Sequence, residues 1–240
     1  MTRQRLYLGL AAVPSLLLGL TVVGVSMMGG CDHTMYVLFG GEQKVDVAAE
    51  YNQMKSGKLA VMIYMPPDIA SDYPYAEGQI TDFVANEFNR VIREGQFGKL
   101  ELIDAVTVRD YQESKLNWQG MPRTQIAREL GADYLLMVSV MEFTTREYGD
   151  TADLFRGQLL ASATLYDASL EEYKAAVWPG ATHDATFSEV YPEHGPIGQL
   201  SSDDTVVRRM VFMQLADKLA KRFYDHTVVI KDDDPKNRPS

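Results

Sequence analysis

Hydrophobic and polar positions change between strand-like runs and helix-like repeats along most of the chain. Short apolar runs at 58–65, 100–108 and 134–143 predict strands, the last of them central and covered on both faces. Alternation over 154–166 predicts a strand with one apolar face, and 173–178 predicts a further strand of the same antiparallel meander. The pattern therefore favours a mixed sheet.

Two longer segments repeat apolar residues at helical spacing. The first ends at Gly95 and contains Ile80, Phe83, Val84, Phe88, Val91 and Ile92. The second begins at Ser202 or Asp203 and contains Val207, Val211, Leu215, Leu219 and Phe223. A short helix is expected over 122–130, with Gly131 at its end, and residues 45–54 favour another.

This order of elements predicts the α/β (or α+β) fold class. We expect a single compact domain over 58–230, in which a mixed sheet with an antiparallel meander packs against two long helices and one short helix. Residues 231–240 contain no apolar residue except proline, so we expect a disordered tail there.

Residues 1–31 have the pattern of an export signal. Arg3 and Arg5 are the only charged residues before Asp32, and an uncharged run rich in Leu, Val, Ala and Gly extends to Cys31. A positive segment followed by an apolar segment is typical of secretory signals. The run is also long enough to cross a bilayer as a helix, so a retained anchor is the alternative.

The end of this run resembles the lipobox of bacterial lipoproteins. Gly30 precedes Cys31, the only cysteine, and Met28 lies where such signals usually have leucine. The resemblance implies that residues 1–30 are a signal peptide and that Cys31 is acylated, with no other cofactor. Residues 31–57 would then link the lipid anchor to the domain.

The same resemblance predicts where the protein resides. We expect it in the cell envelope, anchored to a membrane by its lipid and facing the periplasm or the outside. Asp32 resembles the inner-membrane retention signal of enterobacterial lipoproteins and so favours the inner over the outer membrane.

Composition excludes several functional classes. The 240 residues include 23 Lys+Arg and 33 Asp+Glu, a net charge of −10, and 46% are hydrophobic. A nucleic-acid binder needs a basic face to neutralise phosphates, so we expect no nucleic-acid partner. A single cysteine excludes a disulfide within one chain and any multi-cysteine zinc site.

The phrase IARELGADYLLMVSV at 126–140 resembles the CsgG/LpoB-like superfamily of envelope lipoproteins, and the N-terminal domain of TolB is similar. In these families a helix ends in such a phrase and leads into a hydrophobic strand. By order of elements the resemblance covers about 58–226. It implies a protein that is not an enzyme: a secretion pore, an activator of cell-wall synthases or a periplasmic assembly factor.

The pore is the least favoured of these three roles. Its transmembrane hairpins would need a lipid-compatible face. The second face of the 154–166 strand instead carries the polar residues Arg156, Gln158, Ser162 and Thr164.

We find no catalytic signature in the sequence, and we expect no catalytic residues and no metal site. The motifs GxSxG, GxxxxGK[ST], HExxH and GxGxxG are absent. His33 lies in the linker, and His226 is expected at the end of the last helix, where a cation interacts favourably with the helix dipole. One polar segment could hold a metal and contains His183, Asp184, Glu189, Glu193 and His194. It lacks a ligand spacing such as HxxxH, so a solvated loop is favoured.

Two segments, 66–78 and 179–204, are predicted as long loops and are the candidate partner-binding surfaces, since long loops are often functional. The candidate residues there are Tyr64, Tyr73, Tyr75, His183, Tyr191 and His194. Local packing is the alternative for the tyrosines, and Trp118 and Trp178 are expected to pack at element boundaries.

The sequence as a whole predicts a lipid-anchored protein that binds other envelope proteins, in an assembly or regulatory role and without catalysis. One alternative is a subunit of an oligomeric envelope secretion complex, which would make the chain a homo-oligomer. The other alternative is a metal-dependent enzyme that uses residues 179–204.

Overall fold

Eight strands and five α-helices occur in the residues that the computed structural model describes, which are 43–146, 155–180, 185–192 and 203–230. The strands are β1 (Gln43–Val47), β2 (Ser56–Tyr64), β3 (Lys99–Leu102), β4 (Tyr134–Arg146), β5 (Phe155–Asp167), β6 (Ala176–Trp178), β7 (Ala185–Tyr191) and β8 (His226–Ile230). The helices are α1 (Pro67–Asp72), α2 (Ala76–Arg93), α3 (Ala105–Ser114), α4 (Arg123–Glu129) and α5 (Asp204–Ala220).

Six strands form the main sheet, in the order β3-β2-β4-β5, with both β6 and β7 pairing with β5. Strand β2 pairs in parallel with β3 and β4, whereas β4 and β5 are antiparallel. Strands β6 and β7 also run antiparallel to β5. This mixed sheet, with its helices, confirms the predicted α/β fold class. Strands β1 and β8 pair in a separate two-stranded sheet.

The main sheet is covered on both faces. Successive residues of β2 point to opposite sides, so Leu59, Val61 and Ile63 join one cluster while Ala60 and Met62 join the other. The first cluster is completed by α2 and α5, and the second by residues of α3 and α4. Strand β4 is divided in the same way, which confirms the prediction of a central strand buried on both faces.

The 126–140 phrase marks the point where α4 leads into β4. Gly131 has a φ of 69°, a left-handed conformation that ends the helix. Asp133 then bonds β2 twice: its Oδ2 accepts from the N–H of Lys58 at 2.8 Å, and its own N–H donates to the Lys58 carbonyl at 2.8 Å. The aspartate therefore supports the register in which Leu59 of β2 pairs with Tyr134, the first residue of β4.

Two predictions in the first half of the chain are wrong. The run 100–108 is not one strand, because β3 ends at Leu102 and the Asp104 side chain caps α3 by accepting from the N–H of Val106 at 3.0 Å. Residues 45–54 form no helix. Instead β1 ends at Val47, and the N–H groups of Glu50 and Tyr51 donate to the Arg222 carbonyl.

The two predicted long loops contain regular structure. Residues 66–78 hold α1 and the start of α2, and α1 begins at Pro67, a position where proline suits a helix. Within 179–204 the structure contains β7, in which Phe187 and Glu189 are buried. His226 also differs from expectation, since it begins β8 rather than ending a helix.

Several predictions concern residues outside the described ranges. The signal peptide, Cys31 and the tail at 231–240 all lie outside them. Within the described ranges, none of the helices has both the length and the apolar character that crossing a membrane requires.

Candidate functional site

The order in which the chain adds parallel strands reverses at β2. From β2 the chain passes through α2 to β3 on one side, and then through α3 and α4 to β4 on the other side. The connecting helices pack on opposite faces of the sheet. They therefore diverge beyond the carboxyl end of β2, and ligands of open α/β sheets bind in the crevice at such a point.

A cavity of about 640 Å³ occupies this position, and we call it the β2 cavity. Tyr64 ends β2 and Met65 follows it, and both line the cavity. The first turns of α2 and the last turns of α3 contribute its other walls, together with a 3₁₀ turn at Trp118–Gly120. A volume of this size is within the usual range for ligand sites.

Three aromatic side chains line the β2 cavity. The rings of Tyr64 and Trp118 meet edge to face, with centroids 6.0 Å apart. Tyr75, just before α2, is 76% exposed at the rim. Tyr73 does not line the cavity, because its ring packs on Phe143 at 4.6 Å and its hydroxyl accepts from the N–H of Thr145 at 3.2 Å.

The first turn of α2 contributes a partly buried carboxylate to the cavity. The amide Nε2 of Gln112 donates to Glu77 Oε1 at 3.3 Å and to the Ile63 carbonyl at 2.9 Å. Burial raises the pKa of Glu77 above its ordinary value, and the hydrogen bond from Gln112 acts in the opposite direction. Water is thus partly excluded from an acidic group that faces a cavity.

The remaining charges of the cavity are more exposed. Arg109 Nη2 lies 3.3 Å from Asp82 Oδ1, with 43% and 56% of these side chains exposed. Exposed pairs of this kind contribute little to stability. Glu113 also lines the cavity. Three carboxylates therefore face one guanidinium, and the cavity is acidic.

The other candidate residues do not join the β2 cavity. Tyr191, at the end of β7, packs partly buried against the first core cluster. Glu189 is 2% exposed, with one carboxylate oxygen 2.7 Å from Lys218 Nζ on α5. His183 and His194 lie outside the described ranges. In those ranges no group of three His, Cys, Asp or Glu side chains is placed to hold a metal.

The sequence predicted only part of this site. Tyr64 and Tyr75 were candidates, but Glu77, Arg109 and Gln112 were not. A usable signal was present, because Asp104 is a good helix cap and is followed by Val108 and Gln112 at a spacing of four. The apolar run 100–108 instead led to the prediction of one strand, which covered the start of this helix.

Comparison with known proteins finds no matching family model and no matching curated protein. Among solved structures, the chain is similar to the PelC dodecamer from Paraburkholderia phytofirmans, with 16% identity, 76% of this chain and 99% of that chain covered, and a TM-score of 0.37. It is also similar to lipoprotein GNA1162 from Neisseria meningitidis, with 12% identity, coverage of 68% and 97%, and a TM-score of 0.39. These values assign this chain no function, partner or assembly state.

Proposed function

We propose that this chain is a lipid-anchored extracytoplasmic protein that binds another envelope protein through the β2 cavity, without catalysis. The observation that carries the proposal is the cavity itself, with its exposed Tyr75 at the switch point of the sheet. The role would be in assembly or regulation of an envelope complex.

The anchor is supported by the sequence of residues 1–31. Arg3 and Arg5, the apolar run and Gly30-Cys31 follow the order of a lipoprotein signal. The chain has a net charge of −10, so charge does not attract it to an anionic membrane. Acyl chains contribute about 0.8 kcal/mol per buried CH₂, and two or more of them give stable attachment.

Partner binding is supported by the aromatic residues that line the cavity. Tyrosine and tryptophan are enriched at protein interfaces, where their rings bury a large area and lose little conformational entropy. Tyr75 directly precedes a helix of eighteen residues, so its backbone is held by a regular element. A largely exposed ring held in this way is suited to contact a partner.

Site-specific photo-crosslinking tests the binding role. A photoreactive amino acid replaces Tyr75 in the full-length chain in its own cells, and Tyr173 serves as the control, because it is 69% exposed and lies outside the cavity lining. We expect an adduct with one envelope protein from position 75 and none from position 173. Equal labelling at the two positions, or none at 75, contradicts the proposal.

Intact mass tests the anchor independently. The membrane-extracted protein is expected to begin at an acylated Cys31, and Cys31→Ala is expected to remain unprocessed. A wild-type chain that retains Met1 would instead make the apolar run of 6–28 a transmembrane anchor.

A further inference from the structure

A second cavity of about 390 Å³ adjoins the β2 cavity. Asp82 and Arg109 line both cavities, so the two meet at this ion pair. Together they form one elongated depression between α2 and α3, which we call the α2–α3 groove.

The walls of the groove are single faces of the two helices. Along α2 the lining positions recur every three or four residues, at Gly78, Asp82, Ala85 and Asn89. Along α3 the lining positions Ala105, Arg109 and Gln112 also recur every three or four residues, and the start of α3 lies beside the later turns of α2. The ends of β2 and β3 also contribute, through Met65 and Ile103.

The length of the groove suits an extended peptide. From Gly78 to Asn89 the helix rises about 16 Å, at about 1.5 Å per residue. An extended chain covers that distance with about five residues, at about 3.3 Å each. A compact small molecule would fill one of the cavities and leave the other empty.

The charges of the groove select the kind of peptide. Glu77, Asp82, Asp104 and Glu113 line it, against the single guanidinium of Arg109. Asp104 already caps α3, and Asp82 already pairs with Arg109. Glu77, which accepts one hydrogen bond from Gln112, and Glu113 lie at the end of the groove that also holds Tyr64, Tyr75 and Trp118.

A cationic side chain gains two favourable interactions at that end. A carboxylate accepts a charge-assisted hydrogen bond from an ammonium or guanidinium group. Aromatic faces attract the same cation, the more so where water is excluded. Burial raises the pKa of Glu77, and a bound cation would provide the opposite charge that favours the ionised form.

We propose that the α2–α3 groove binds an extended segment of the partner protein that carries a lysine or arginine, with the cation between Glu77 and Glu113 and beside Tyr64, Tyr75 and Trp118. This inference rests on the proposed function and specifies the chemistry of the partner.

Peptide titration of the full-length protein in detergent tests it. The probes are three labelled hexapeptides that alternate leucine with lysine, with glutamate or with serine. We expect the lysine peptide to bind at least tenfold more tightly than the other two. The doubly substituted Glu77→Gln, Glu113→Gln protein should bind it at least tenfold more weakly, and Glu113→Gln alone severalfold more weakly.

The matched control removes two carboxylates elsewhere. Glu94 and Glu171 are 50% and 70% exposed, lie outside the groove lining, and each pair with one nearby cation. Glu94→Gln, Glu171→Gln should bind the lysine peptide as the wild type does. Equal weakening in the control, equal affinity for the three peptides, or full competition by free lysine contradicts the inference.

The two proposals fail separately. If position 75 crosslinks an envelope protein but the lysine peptide shows no preference, the cation inference is wrong and the binding function stands. If the lysine peptide binds with the expected preference but position 75 crosslinks nothing in cells, the function is wrong and the chemistry of the groove stands.

Discussion

Partial burial of the Glu77 side chain disfavours its ionised form. Glu77 lies in the first turn of α2, where the helix dipole favours a carboxylate, yet burial outweighs this and raises its pKa. A carboxyl whose pKa is higher in the folded than in the unfolded state stabilises the fold below its ordinary value of 4.5. That contribution is lost as the pH rises through the folded-state pKa.

We therefore expect Glu77→Gln to leave the free energy of unfolding at pH 7 unchanged or to increase it. Glutamine keeps the shape and carries no charge to desolvate. The gain should disappear at a pH below 4.5, where the wild-type carboxyl is protonated. Urea unfolding at the two pH values measures this, and a less stable variant at pH 7 would indicate that the carboxylate has a structural role.

Gly157 shows a steric constraint of one residue. A Cβ at this position would lie 2.5 Å from Val211 Cγ2 and 2.8 Å from Val207 Cγ1, so α5 packs directly on the backbone of β5. The absence of a side chain at 157 therefore sets how closely this helix approaches the sheet.

Gly157→Ala is expected to lower the free energy of unfolding by about 1–3 kcal/mol through overpacking. Val211→Ala alone should also be destabilising, since it removes two buried methyl groups. In the double variant the new methyl group occupies part of the space that Val211 vacates. The loss of unfolding free energy should therefore be smaller than the sum of the losses in the two single variants. Strict additivity would show that the contact does not limit packing.

At the scale of elements, α4 is capped by a distant segment. Pro122, at its N-cap position, offers no side-chain acceptor. Instead the Glu172 carboxylate accepts from the N–H of Arg123 at 2.7 Å, and from the N–H and hydroxyl of Thr124 at 2.9 and 2.7 Å. Burial alone would raise the pKa of Glu172, but the hydrogen bonds from Thr124 and Arg123 outweigh it and lower the pKa.

Glu172→Gln should lower the free energy of unfolding by about 1 kcal/mol at neutral pH, the usual value for a helix cap. The contribution is fully present above the ordinary pKa of 4.5 and is lost as the pH falls through the lowered folded-state value. Thermal unfolding at several pH values measures it, with the neighbouring Glu171→Gln as control. An equal effect of the two substitutions would contradict the capping role.

Across the whole compact unit of 46–226, the chain before β2 is held by residues far along the sequence. Trp178 Nε1 donates to Glu50 Oε2 at 3.0 Å, and Arg222 pairs with the other oxygen of the same carboxylate. Met54 is 1% exposed in the first core cluster. The segment that precedes the first strand of the main sheet is therefore part of the fold.

We expect Glu50→Gln to lower the free energy of unfolding by about 1 kcal/mol, because it weakens the charged hydrogen bonds to Trp178 and Arg222, which are partly exposed to solvent. Trp178→Phe should also destabilise the protein. In a double-mutant cycle the combined effect should be smaller than the sum, because both variants act on the same hydrogen bond between residues 50 and 178. Denaturant unfolding provides the values, and a zero coupling energy would contradict the link.

The sequence by itself determined the elements with a strong local period. The sequence alone predicts α2 and α5, because burial of one helix face spaces their apolar residues by three or four. It also predicts the strands at 58–65 and 134–143, because burial on both faces makes each a continuous apolar run. Gly131 marks the end of α4, because glycine readily adopts the left-handed conformation found there. Only the tertiary structure decided the rest. In β7, the buried Glu189 forms an ion pair with Lys218 of α5. In the site, Gln112 donates a hydrogen bond to the carbonyl of Ile63, forty-nine positions away in the sequence. Such contacts depend on which distant segments meet, and a local pattern holds no information about that choice.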